Sequence, residues 1–150
     1  MGTSGASEGR GGLDVSPGRG VLVVEDDSDL ALLVQMIVAD AGYEVRTAGD
    51  GAEALERVGE RMPGLILLDM RMPVMNGWEF AREFRSRFGR AAPIVVVTAA
   101  ENARARAEEI DADGWMEKPF EIEEVARMVS RFLGPAGGEM RRIDEQESAP

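Results

Sequence analysis

Three apolar runs in this chain end in residues suited to phosphorus or metal chemistry. Val21-Leu22-Val23-Val24 runs into Glu25-Asp26-Asp27, Leu65-Ile66-Leu67-Leu68 into Asp69, and Ile94-Val95-Val96-Val97 into Thr98. Further on, Lys118-Pro119 follows a short segment carrying Trp115 and Met116. Carboxylates brought within a few Å of one another repel, and one is forced to hold a proton. A hard divalent cation removes that conflict. Mg2+ (Mn2+ is its stand-in here) is commonly held by one or two carboxylates, waters and a phosphoryl oxygen. Glu25, Asp26 and Asp69 are therefore the candidate metal set. Asp69 directly follows four apolar residues, so its carboxylate is partly desolvated and is a plausible nucleophile toward phosphorus. Thr98 can donate a hydrogen bond to a phosphoryl oxygen. Lys118 can neutralise another as a compact point charge. Pro119 restricts Lys118 to extended backbone and, if its peptide bond is cis, turns the chain so that the ammonium aims inward.

Other polar residues nearby are better read as structural. Asp27 and Asp29 suit the start of a helix, as cap and as first-turn acid. Trp115 leaves two readings open: a packed aromatic on an edge strand, or a residue whose rotamer responds when Thr98 moves. Trp78 reads as packing at the start of a helix.

These residues need a scaffold, and the apolar patterning supplies one. Short β-branched runs of this kind suit strands buried on both faces, as in parallel sheets. In open parallel α/β sheets, sites form at the carboxyl ends of the strands. Strands are expected at about 21–25, 43–47, 64–69, 93–98 and 114–117. Between them, a stripe of Leu30, Leu33, Val34, Ile37, Val38 and Ala41 predicts helix one, capped by Asp27 or Ser28 and stopped by Gly42. Helix two spans about 51–59, with Ala54, Leu55 and Val58 inward. Helix three spans about 77–88, with Asn76 as cap and Phe80, Ala81, Phe84 and Phe88 on one face. Helix four, about 102–110, is alanine-rich. Helix five is expected to bury Ile122, Val125, Ala126, Val129 and Leu133. Five alternating strand–helix units imply a three-layer α/β/α domain, a doubly wound parallel sheet of the flavodoxin-like (βα)5 type in the order 2-1-3-4-5.

Composition narrows the function classes. The chain has 150 residues, no Cys, no His and a formal net charge of −11. That charge argues against direct binding of nucleic acid, which needs basic patches. The sequence has no apolar run long enough to span a membrane and no secretory h-region. The missing histidine removes Ser-His-Asp and Cys-His chemistry. Any phosphohistidine step must use a partner's histidine. Residues 1–18 and 134–150 are Gly-, Ser- and charge-rich and are expected to be disordered tails, the second a possible linker. The domain is expected at 19–133.

Together these residues resemble the receiver (CheY-like) domain of two-component response regulators. The resemblance is carried by Val23-Val24-Glu25-Asp26-Asp27, by Leu67 through Gly77, by Val97-Thr98-Ala99 and by Lys118-Pro119-Phe120. It implies that Asp69 is the phosphoacceptor. It implies Mg2+ bound by Asp26 directly, by Glu25 through water, by Asp69 and by the backbone carbonyl of Arg71. Thr98 and Lys118 would hold the phosphoryl group, with Trp115 in the switch-aromatic position. The donor would be a sensor histidine kinase or a histidine phosphotransfer protein, in the cytoplasm. The output face would be helix four, strand five and helix five, which also admits a homodimer and acts on an output partner that the residues do not specify. Trp115 stands where Tyr, Phe or His is more usual, and Asp111 where glycine is.

Other classes fit less well. A haloacid-dehalogenase-like phosphohydrolase needs a second acid two residues after its nucleophile, where this chain has Arg71. A receiver-like scaffold without phosphorylation normally lacks the acceptor, the acid pair or the lysine, all kept here. A Rossmann domain needs a Gly-rich loop after strand one, and none follows. The sequence suits either a stand-alone receiver or one taken from a longer protein.

Overall fold

Apolar runs alternate with amphipathic segments along the chain, and each run becomes a strand of one central sheet. In the computed structural model, which describes residues 20–99 and 102–135, the elements are β1 (Val21–Val24), α1 (Ser28–Asp40), β2 (Val45–Ala48), α2 (Gly51–Glu60), β3 (Leu65–Leu68), α3 (Gly77–Phe88), β4 (Ile94–Thr98), α4 (Ala103–Glu109), β5 (Gly114–Glu117) and α5 (Ile122–Leu133). All strand pairs are parallel and the order is β2-β1-β3-β4-β5. The expected tails at 1–18 and 134–150 lie outside the described residues, apart from Gly134 and Pro135. No helix among the described residues is long and apolar enough to cross a membrane.

Every residue of β1, β3 and β4 is buried, because each strand lies inside the sheet with helices on both faces. One core layer holds Leu22, Val24, Ile66, Leu68, Ile94 and Val96 against Leu55, Val58, Phe80 and Phe84. The other holds Val21, Val23, Leu65, Leu67, Val95 and Val97 against Val34, Ile37, Val38, Val125 and Val129. The two sets alternate along each strand, as the pleat requires.

Helix starts follow the caps that the sequence marks. Asp27 caps α1, its carboxylate accepting from the Asp29 and Leu30 N–H groups. Asn76 caps α3 in a capping box with Glu79, which satisfies two otherwise orphaned donors. Asp111, at φ 55°, adopts the left-handed conformation that Asp tolerates.

Three burial expectations fail at helix edges, the first at Ala41, which is exposed at the C-cap of α1. Leu33 is 43% exposed, because it stands about 100° round α1 from Val34, off the buried line that includes Ala31. Ile122 is 58% exposed: it opens α5, a first-turn residue beyond the seam made by Val125 and Val129. Strand β2 starts later than expected, since its pairing with β1 begins at Val21 opposite Val45.

Candidate functional site

Parallel register brings the strand-end residues together. Val24 pairs with Leu68, so Glu25 and Asp69 leave neighbouring strands side by side. Their backbones stay tied at that point: the Asp69 N–H donates to the Val24 carbonyl at 3.0 Å and the Glu25 N–H to the Ala48 carbonyl at 2.9 Å. Thr98 ends β4 opposite Glu117 of β5, and the Lys118 N–H donates to the Thr98 carbonyl at 3.0 Å. The Lys118–Pro119 peptide bond is cis.

Four charged side chains converge there. Glu25, Asp26 and Asp69 each offer a carboxylate oxygen, and these oxygens lie within 4.8 Å of one another. Glu25 and Asp69 are both 6% exposed, whereas Asp26 faces solvent. The Lys118 ammonium donates to Glu25 Oε1 at 2.7 Å and stands 3.7 Å from Asp69 Oδ2. The Met70 N–H donates to Asp69 Oδ1 at 2.9 Å, and the Asp27 N–H to Glu25 Oε2 at 3.2 Å.

The electrostatics follow from that packing. Burial pushes the Asp69 carboxyl above its ordinary range, and the Asp26 charge adds to the push. Lys118 and the Met70 and Arg71 N–H groups act against it. Glu25 is raised as well, by burial first and by Asp69 in addition, despite its bond to Lys118. The single ammonium therefore does not offset the acids. Crowded hard oxygen donors with unrelieved negative charge fit a divalent cation such as Mg2+.

The remaining expected residues lie around this cluster. Thr98 is buried at 1% exposure on the adjacent strand end. Arg71 is exposed and lines a cleft with Asp26, Asn76 and Trp78. Trp115 does not join the cluster. It is 42% exposed on β5, and the Arg104 guanidinium lies 5.6 Å from its ring centroid, a cation–π arrangement.

Three features were not legible beforehand. The Lys118–Glu25 ion pair spans 93 positions, so no local pattern reports it. Gly77 is needed for close approach: a Cβ there would stand 2.7 Å from Met70 Cα and 2.8 Å from the Asp69 carbonyl oxygen. Its place between a capping Asn and an aromatic was the available signal. Trp78 does more than pack, since its indole N–H donates to Glu109 of α4 at 2.8 Å.

A five-stranded doubly wound sheet with two buried acids and a lysine at its carboxyl edge defines an α/β domain whose acid cluster could hold a metal ion. Comparison with known proteins makes the class specific. The family described as response regulator receiver domain matches residues 21–130, and the chain belongs to that family, the receiver domains of two-component signalling. It is 35% identical over 119 residues to the regulatory protein VanRB of Enterococcus faecalis, covering 78% of this chain and 53% of the relative. It is 39% identical over 111 residues to the response regulator MprA of Mycobacterium ulcerans, covering 72% and 47%. The chain thus spans about half the length of the curated relatives it matches. Among solved structures, the chemotaxis protein CheY4 of Vibrio cholerae aligns with a TM-score of 0.69 at 34% identity, covering 76% of this chain and 98% of that one.

Proposed function

We propose that this domain accepts a phosphoryl group on Asp69 from a partner's phosphohistidine, and thereby switches its α4–β5–α5 face to control a partner or an output domain. The observation that carries the reading is the Asp69 carboxylate, buried at a strand end, 3.7 Å from the Lys118 ammonium and within 4.8 Å of the Glu25 and Asp26 oxygens.

In this reading an Asp69 carboxylate oxygen attacks phosphorus. The new O–P bond forms as the P–N bond of the donor breaks, and its electron pair returns to the imidazole, which takes up a proton. The donor is a sensor histidine kinase or a histidine phosphotransfer protein, since this chain has no histidine of its own. Lys118 pairs with one phosphoryl oxygen and the Thr98 hydroxyl donates to another. Glu25, Asp26, Asp69 and the Arg71 carbonyl would hold Mg2+, which supplies charge neutralisation for the acids and the phosphoryl oxygens. Phosphorylation adds charge and acceptor oxygens, which bias a two-state element. Trp115 is the aromatic that reports the change on the output face.

Incubation with a small phosphodonor such as acetyl phosphate and Mg2+ is expected to add one phosphoryl group to the wild-type mass. Chelation of the metal should slow the addition and Asp69→Asn should abolish it. An equal mass gain in Asp69→Asn would sink the assignment.

A further inference from the structure

Helix α4 is weakly anchored to the sheet. It runs for 7 residues and its buried side chains are Ala103 and Ala107, with Ile110 partly buried just beyond its end. Two methyl groups remove little apolar area from water, so polar contacts at the rim decide where this helix sits.

One of those contacts reaches back toward the acid cluster. The Trp78 indole N–H donates to Glu109 Oε1 at 2.8 Å. Arg106 grips the same carboxylate from within α4, Nε to Oε1 at 2.9 Å and Nη2 to Oε2 at 2.7 Å. Glu109 is thus presented to Trp78 in a fixed orientation. Trp78 follows Gly77, whose N–H donates to the Met70 carbonyl at 2.9 Å and whose Cα lies against the backbone of Asp69 and Met70. The indole also borders two grooves, one shared with Asp26 and Arg71 and the other with Glu109 and Asp111. A single rigid side chain therefore spans from the loop after Asp69 to the end of α4.

We infer that Trp78 and Glu109 form a clip that fixes the position of α4 relative to the Asp69–Gly77 loop, so that a shift of that loop is passed to α4. The relay rests on the reading of Asp69 as the phosphoacceptor; the clip itself rests on the contacts above. Other ties act on the same helix without reaching that loop. Arg104 lies over Trp115 of β5, and Arg90 pairs with Asp111 after the helix.

The test uses Trp78→Phe, which keeps a ring and removes the N–H donor, and Glu109→Ala, singly and together in the full chain. Amide hydrogen exchange over residues 103–110, with no phosphodonor present, is expected to rise about two- to fivefold in each single variant, the scale of one partly exposed hydrogen bond. The double variant should rise no further than Glu109→Ala alone, which also removes the two Arg106 bonds within α4, because the Trp78–Glu109 bond is already lost in that variant. Exchange in α5 should stay at the wild-type level. Affinity for beryllofluoride with Mg2+, read by calorimetry, should increase by a similar factor, since α4 no longer resists the shift. Wild-type exchange in both single variants, or effects that simply add, would overturn the clip. A wild-type chain that takes up no beryllofluoride would overturn the acceptor reading and with it the relay, while the exchange data still decide the clip.

Discussion

Burial and charge oppose each other at Asp69 and Glu25. Both carboxyls are raised above their ordinary range, by desolvation first and by a neighbouring acid in addition. An acid raised in the folded state holds its proton longer there than in the unfolded chain. Its contribution to stability therefore falls as pH climbs from the unfolded value through the folded one, and stays reduced above it. The metal-free protein thus carries a standing cost at neutral pH. Asp69→Asn should remove part of it and raise the melting temperature at neutral pH, with the advantage disappearing below the ordinary carboxyl range, where Asp69 is protonated anyway. Mg2+ should raise the melting temperature of wild type more than that of the variant. Calorimetry across pH would show this, and identical melting at neutral pH would contradict it. That the acids, Thr98 and Lys118 gather at one sheet edge was legible from the sequence, because the strand ends of a parallel sheet share that edge. The choice of Glu25 rather than Asp69 as the closer partner of Lys118 was not, since only side-chain geometry across 93 positions decides it.

Between the elements, close approach matters more than propensity. The loop from Asp69 to Gly77 is pinned by the Gly77 N–H to Met70 and by the Gly51 N–H to the Met75 carbonyl, both at 2.9 Å. Gly77→Ala would set a Cβ against backbone atoms that cannot swing aside. It is expected to cost about 2 kcal/mol, as overpacked sites do, and to slow phosphoryl uptake because the Asp69 backbone must shift. Urea unfolding at the wild-type midpoint would refute this. Element types were legible throughout, since a 3.6-residue stripe and a β-branched run are hard to confuse. What escaped were the ends and flanks: Ile122 continues the apolar period of α5 but stands beyond its seam, and Leu33 sits just off the line of α1. Periodicity gives a direction around the helix and says nothing of where the neighbouring element stops.

As a whole, the molecule is a sheet buried on both faces that leaves its chemistry at one edge and an uneven surface beside it. The sheet order was legible because five right-handed strand–helix units leave few ways to wind. The role of Trp115 was not, since burial of an edge-strand aromatic depends on the helix beside it. On the α4–β5–α5 face Trp115 and Ile122 remain 42% and 58% exposed, apolar area that a second copy would cover. If that face is switched by Asp69, sedimentation should show a larger dimer fraction with Mg2+ and beryllofluoride than without. An unchanged monomer at high concentration would contradict a homodimer there. In the proposed function one carboxylate, Asp69, carries the phosphoryl group. That assignment is tested most directly by treating the phosphorylated protein with borohydride, which traps an acyl phosphate, and mapping the modified residue by peptide mass spectrometry. Modification is expected on the peptide from Met62 to Arg71, at Asp69 alone; modification at another acid, or none in a protein that has gained the phosphoryl mass, would overturn the assignment.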